Sequence, residues 1–523
     1  MIQLPEPLLR LFGIVDRTFP STSSMDTGFS ISFRYCLLLC VPAILIGGWL
    51  RFEVLRSLPV IYYGPDGNSY FHTVGEFWTR GVFDITEKRR WLYPVLLIPL
   101  PLSPFSPAAT LAWIQHLTGL LVVVPLGWIV GHVTRFRSVW IPVVTIFYSM
   151  WPQSLWMEHE MQAEAVFLAA FITTTALAFP LRRLACKNGI FSYLACAAAV
   201  SILKTLGKPI WAVFVGILLL FNRRPFKWGL RNGILLAVTV LLVATSGSDR
   251  QGGWLFLSST LPFLPPDGTW PEYRKILQPW VEEARADLPN YAFRQCNYKL
   301  GMSEKDDDGP LGPAWAAMVR DRKKFEVVMK SLAMSAFLNN PPGCARLSFE
   351  KIFVAAWNSR VPNGNFESRE FHRSQVEYNA PRWKKRPKEL EMLNRMPQGE
   401  AEKFTASFPP ENPRVIALFK WLNSFFAWGI ARQGAPGIPP EFGLRWPGWL
   451  AVLGLVFCLL PGRFFPCLVV WLPSLAYMAA CFSVGDAVGR YLQPIEWTGM
   501  VLAAVALDVA LLNSIRILKG RKG

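Results

Sequence analysis

Asp66 stands in the turn Gly64-Pro65-Asp66-Gly67 between two apolar stretches, and Lys204, Lys208 and Arg490 each stand at the end of another apolar stretch. A carboxylate held at a membrane edge can accept the proton of an attacking hydroxyl. Cations placed there can hold a phosphate, Arg through a fork of donors and Lys through a compact charge. Each residue also has a plainer reading. Asp66 could close an Asx turn or cap the helix that follows, and the cations could snorkel to water from their span ends. A second acidic group is formed by Glu158-His159-Glu160 and Glu164, with Glu160 and Glu164 on one helix face. Glu164 falls inside an apolar pattern, where insertion scales charge ~2.5–3.5 kcal/mol for Asp. Both a hydrogen bond to a neighbouring span and a contact to substrate stay open for it.

Other residues with chemical potential carry weaker patterns. The five histidines show no ligand spacing, although His159 lies between two glutamates that could share a metal. Asp306-Asp307-Asp308-Gly309 lacks the remaining ligands of a calcium loop and reads as a solvated acidic turn. No glycine loop leads into Lys-Ser or Lys-Thr, which argues against a transporter with its own ATPase domain. The nine cysteines have no paired metal spacing. Cys296 and Cys344 fall in a hydrophilic region, where an oxidising compartment would let them pair; two free thiols are the alternative.

These groups need elements to position them. The chain has 523 residues, 52% hydrophobic and 17% charged, with recurring apolar runs of near-spanning length. That is the composition of an all-α polytopic membrane protein. The net charge of +18 sits mostly in short loops between apolar runs. It therefore reads as topology and contact with anionic lipid rather than nucleic-acid binding. The first residues are polar and mixed, so a retained first span is expected rather than a cleaved leader.

The apolar pattern predicts spans near 33–52, 108–133, 139–151, 161–179, 190–203, 209–221, 229–245, 446–460, 464–482 and 491–512. Between the first two lies the loop with Asp66. There Tyr70, Phe71, Val74, Phe77 and Trp78 recur at helical spacing, which predicts a short amphipathic helix flat on the membrane. Prolines at 99, 101, 104 and 107 make the next stretch a short re-entrant or interfacial piece. Pro152 is expected to stop the third span and Pro180 the fourth. Residues 247–445 form a hydrophilic insertion, with one amphipathic helix over 315–339. Segments 343–357 and 413–430 are short enough to be interfacial helices, or they cross.

The basic turns fix the sidedness. Arg135 and Arg137, Arg182, Arg183 and Lys187, Arg223, Arg224 and Lys227, Arg463 and the Lys/Arg tail all fall on the side of the amino terminus. That side is the cytoplasm by the positive-inside rule. About ten spans result, or about twelve if both doubtful segments cross. The expected organisation is a transmembrane module at 1–246 with its first outer loop at 53–91, the insertion at 247–445, and closing helices with a basic tail at 446–523. Asp66, the Glu158–Glu160 turn, the Lys204–Lys208 turn, the insertion and Arg490-Tyr491 then share the outer face.

Short stretches in this order resemble the GT-C superfamily of integral-membrane glycosyltransferases, and within it bacterial relatives of protein O-mannosyltransferase and lipid A aminoarabinose transferase. They are Gly64-Pro-Asp-Gly-Asn-Ser-Tyr70 with Arg90-Trp-Leu-Tyr-Pro94, Trp156-Met-Glu-His-Glu-Met-Gln-Ala-Glu164, Leu203-Lys-Thr-Leu-Gly-Lys208-Pro, and Gly489-Arg490-Tyr491-Leu-Gln-Pro494. The resemblance implies a polyprenyl-phosphate-linked sugar as donor, a lipid or glycan hydroxyl as acceptor, and a site on the extracytoplasmic face of the cell membrane. Asp66 would be the general base, and Lys204, Lys208 and Arg490 would hold the donor phosphate. Tyr70, Arg89, Arg90, Glu158, His159, Glu160, Glu164 and Tyr491 would serve substrate or structure. A single displacement implies inversion. Many members carry an acid pair in the first outer loop; here Gly67 follows Asp66 and the next acid is Glu76. No cofactor is implied, and a divalent metal is not indicated. A lipid-linked glycan flippase without transfer chemistry is the alternative, since it too would need spans, intramembrane charge and outer cations.

Overall fold

The structure is a computed structural model. It describes residues 33–61, 67–83, 91–134, 138–187, 252–288, 291, 312–357, 392, 413–427, 429–431, 443–445, 454, 456, 467–474, 477 and 489–520. The spans expected at 190–203, 209–221 and 229–245 lie outside the described residues, as does nearly all of 446–460.

Among the described residues, three helices are long and apolar enough to cross a membrane: Phe33–Ser57, Pro107–Val133 and Glu496–Ser514. Helix α1 (Phe33–Ser57) continues past the expected end of the first span. Helix α2 (Gly67–Arg80) is the amphipathic helix after Asp66, but its apolar stripe is split. Tyr70, Phe71 and Val74 are buried in the helical core, while Trp78 is exposed and donates its Nε1–H to the Ile98 carbonyl at 2.8 Å. Helix α2 is thus packed on protein along most of its apolar face, where the sequence pattern predicts contact with lipid. The proline-rich piece forms α3 (Leu92–Leu97) and a short 3-10 turn, Leu100–Leu102.

The second span is two helices, α4 (Pro107–Leu121) and α5 (Val123–Val133). Ser106 caps α4 by accepting the Ala109 N–H at 3.1 Å, with Pro107 at the first helical position. The break at Val122 has a local cause: Pro125 has no N–H to offer the Leu121 carbonyl. The third span is short, α6 (Trp140–Ser149), and Pro152 opens α7 (Pro152–Glu158) after it. Pro180 does not close the fourth span: α8 runs Ala163–Lys187. A proline interrupts one backbone bond in a membrane helix without ending it when neighbouring groups satisfy the freed carbonyl.

Helices α1, α4, α5, α6 and α8 pack around one apolar core, which α2, α3 and the Glu496–Ser514 helix join. A second core is built from the insertion: α9 (Gly252–Thr260), α10 (Pro271–Ala286), α11 (Gly312–Arg320), α12 (Arg322–Asn339) and α13 (Pro341–Trp357). The stretch predicted as one helix over 315–339 is two. Asp321 accepts the Lys324 N–H at 3.2 Å and so caps α12 instead of continuing α11. Helix α14 (Pro413–Ala427) is followed by β1 (Gly429–Ala431), which pairs antiparallel with β2 (Gly443–Arg445), Ile430 opposite Leu444. The fold is therefore mostly helical, as predicted, with one small ladder where a helix was expected to run to residue 430. Helix α15 (Gly489–Gly520) closes the described chain.

Candidate functional site

The site begins at Glu158, the last residue of α7. Its side chain is inside the bundle, and Arg51 of α1 meets it with a fork of donors: Nε to Oε2 at 2.7 Å and Nη2 to Oε1 at 2.6 Å. Ser154, one turn earlier, donates to Oε1 at 3.1 Å, and His116 of α4 meets Oε2 through Nδ1 at 3.0 Å. The remaining Arg51 nitrogen reaches the Gly47 and Ser149 carbonyls at 3.1 and 3.3 Å. Burial opposes the charge on Glu158, but Arg51 and His116 outweigh it and hold the carboxyl below its ordinary range. Helix α4 comes this close because residue 119 is glycine: a Cβ there would stand 2.0 Å from Glu158 Oε1.

The network continues through His116 Nε2 to His159 Nδ1 at 3.1 Å. Hydrogen-bond bookkeeping sets the tautomers. An ionised Glu158 only accepts, so His116 Nδ1 carries the proton; with His116 neutral, its Nε2 is an acceptor and His159 Nδ1 donates. A parallel strand of contacts holds the next residues. Gln115 donates to the Glu160 carbonyl at 2.8 Å and accepts from the Tyr93 hydroxyl at 3.2 Å. Tyr70 meets the Tyr93 ring edge-on with centroids 4.8 Å apart. The Gln162 side-chain amide bonds the Glu160 carboxylate.

The structure thus brings Tyr70, Glu158, His159 and Glu160 into one assembly, buried except for the half-buried Glu160. Glu164 sits half-buried in the first turn of α8, within electrostatic reach of Tyr93. Asp66, Arg89, Arg90, Lys204, Lys208 and Cys296 lie outside the described residues. For Arg490 and Tyr491 only the helical backbone of α15 is described. Cys344 is a buried free thiol. One contact bears on the outer loop. Gly67, the residue after Asp66, packs on Met161: a Cβ at Gly67 would stand 3.2 Å from the Met161 carbonyl and Cβ. Glu496 of α15 accepts the Trp151 indole N–H at 2.8 Å, which ties the start of that helix to the α6–α7 turn.

Arg51, His116, Gln115 and Ser154 were not singled out by sequence reasoning. Their signal was present in part. An arginine inside a helix that outlasts its apolar run needs a counter-ion, and the Glu158 turn was an available one. Nothing in local spacing pairs residues so far apart in the chain. Among the described residues no three His, Cys, Asp or Glu side chains form a metal-ligand set.

No family model and no curated protein sequence matches the chain. The chain is similar to archaeal oligosaccharyltransferases. One is the Archaeoglobus fulgidus oligosaccharyltransferase in its apo form, with 13% identity over 93% of this chain and 52% of that one, at a TM-score of 0.36. Another is oligosaccharyltransferase AglB of the same organism in complex with an inhibitory peptide and a dolichol-phosphate, with 13% identity over 94% and 52%, also at 0.36. The chain spans about half the length of these structures. At that similarity the functional reading rests on this chain's own residues.

Proposed function

We propose that the chain is a membrane glycosyltransferase that moves a sugar from a polyprenyl-phosphate donor to an acceptor hydroxyl on the extracytoplasmic face, by a single inverting displacement. Asp66 takes the acceptor proton as its oxygen attacks the anomeric carbon. The bond to the phosphate breaks on the opposite side, and the phosphate leaves with the electron pair. Lys204, Lys208 and Arg490 stabilise the charge that grows on that leaving group. The observation that carries the reading is the contact of Gly67 with Met161. It sets Gly67, the residue after Asp66, against the Glu158–Gln162 turn, a rigid seat of the kind a general base requires.

The test is transfer by the purified full chain from a panel of polyprenyl-phosphate monosaccharides to envelope lipids and glycans. Asp66→Asn is expected to lower turnover by roughly 10²–10⁴-fold, the share a positioned base contributes, with donor binding kept. Wild-type turnover in that variant removes Asp66 from its role. A flippase is the second reading, favoured by one observation: an Arg–Glu–His network inside the bundle is the kind of group that transporters use. Movement of the lipid-linked sugar across a vesicle membrane, without transfer, would select it.

A further inference from the structure

We propose that Arg51, Glu158, His116 and His159 form a positioning relay that fixes the 158–162 turn and, through Met161, the start of α2. Its catalytic consequence rests on the transferase reading above; its mechanical part does not. The first argument is saturation. A carboxylate offers about four lone-pair sites, and Glu158 has them met by Arg51 Nε, Arg51 Nη2, Ser154 and His116. No acceptor site remains for a substrate hydroxyl, so Glu158 acts through other residues and is not the base. Arg51 likewise spends its donors on Glu158, Gly47 and Ser149.

The second argument is direction. The bonds run from α1 through α7 and α4 to His159, the first residue after α7. Glu160, the next residue, is gripped at its carbonyl by Gln115 of the same helix α4. The turn is therefore held at adjacent residues from one rigid helix, and Met161 follows at 0% exposure. Gly67 abuts that residue. Loss of the Glu158 charge would leave the Arg51 guanidinium unpaired in the bundle, and the turn would have to move to bring water or another acceptor to it. In the transferase, Arg51, Glu158 and His116 are then positioning residues: they touch neither sugar nor phosphate, and they set where α2 begins, directly after Asp66.

The experiment reads position directly. A Gly67→Cys/Met161→Cys pair in the full chain in membranes is oxidised, and the linked peptides are followed by mass spectrometry. The sites are near the Cβ spacing of a disulfide, about 3.5–4.5 Å, so rapid linking is expected. With Glu158→Gln added, linking should slow by at least about tenfold, a shift of about 1.4 kcal/mol in the closed arrangement. Arg51→Lys, which keeps charge but loses the fork, should fall between. Should Glu158→Gln fail to accumulate, Ser154→Ala and Gly119→Ala disturb the same carboxylate while leaving every charge in place. Unchanged linking in these backgrounds overturns the relay. For transfer, the same variants should lower kcat by up to roughly 10²-fold, as for reacting groups displaced by about 1 Å, with the donor KM moved less than about twofold. Slowed linking with unchanged kcat overturns the positioning role. A parent chain with no transfer activity sinks the transferase reading, and linking still decides the relay.

Discussion

Two arginines are buried almost equally, Arg51 at 3% exposure in the first core and Arg274 at 2% in the second, and they are satisfied in opposite ways. Arg51 is paired to a carboxylate 107 residues away. Arg274 donates to neutral oxygens: the Thr269 and Pro265 carbonyls at 2.7 and 2.6 Å, and the Ser335 hydroxyl at 2.9 Å. Arg285, three turns further along α10, does the same for the Pro262 and Leu264 carbonyls at 2.9 and 2.7 Å. The arginines of α10 are staples for a nearby loop, whose backbone includes Trp270 in the left-handed region at a φ of 62°. Arg51 instead joins helices distant in sequence. A staple orders what is already close, whereas a buried ion pair chooses which elements meet and leaves a high cost for separating its halves.

That difference sets the largest expected effect. Arg51→Ala or Glu158→Gln leaves one buried charge alone and should destabilise the detergent-solubilised protein by about 3–5 kcal/mol. Arg51→Met with Glu158→Met removes both charges and should recover most of it. Thermal unfolding of the single and double variants measures both, and additive losses would break the account of a coupled pair. The pH dependence carries the same information. The Glu158 carboxyl is held low in the folded protein, so its contribution is complete above its unfolded value of about 4.3 and is lost as pH falls through the lower folded value. The stability gap between the parent and Glu158→Gln should be flat from neutral pH to about 5 and close only below about 4. A gap already closing near pH 6 would mean that Arg51 does not hold the charge.

Arg274→Ala should cost less, about 1.5–3 kcal/mol, since carbonyls near the surface regain water when the guanidinium goes. Its reach should also be shorter. Hydrogen exchange should rise across the 261–274 loop and the facing turn of α12 around Ser335, with α1 and α4 unchanged. Spread of the effect into the first core would show that the two cores are coupled and would erase the contrast drawn between them.

What could be read in the sequence follows the same division. Helical patterning was legible wherever one face alone is apolar: α2, the ends of α6 at Pro152, and α13 were all expected near where they lie. Pairing across the bundle was not. Glu158 and His159 were candidates on their own, yet nothing in their spacing pointed to Arg51 or His116, because a partner in a helix bundle is fixed by three-dimensional packing rather than by period. The breaks were missed for a local reason. Asp321 and Pro125 each redirect one hydrogen bond, which apolar periodicity does not register, and Pro180 shows the converse, a breaker that membrane packing overrides. The β1–β2 ladder lies in a Gly- and Pro-rich stretch where neither period is visible.

The smallest expected effect concerns another buried acid, this time with no cation to keep it charged among the described residues. Cys344 of α13 lies in the second core, and its thiol reaches the Ala336 carbonyl at 3.9 Å, a weak bond. Burial pushes this thiol up to about 11, against about 8.5 for an ordinary cysteine. The sign is opposite to that of Glu158: burial unopposed keeps the acid protonated, whereas burial beside Arg51 does not. At pH 8 the thiolate share should be roughly 10²-fold below that of an exposed cysteine. Iodoacetamide labelling of Cys344 in the folded protein should then be correspondingly slow and should rise steeply with pH. Labelling after denaturation without reductant also tests whether Cys344 is free, as the structure has it, or paired with Cys296. Prompt modification means a free thiol in the isolated protein, and modification only after reduction means a disulfide. Fast labelling in the folded state at pH 8 would show that the second core admits water or a cation near α13, and the opposition between the two buried acids would fail there first.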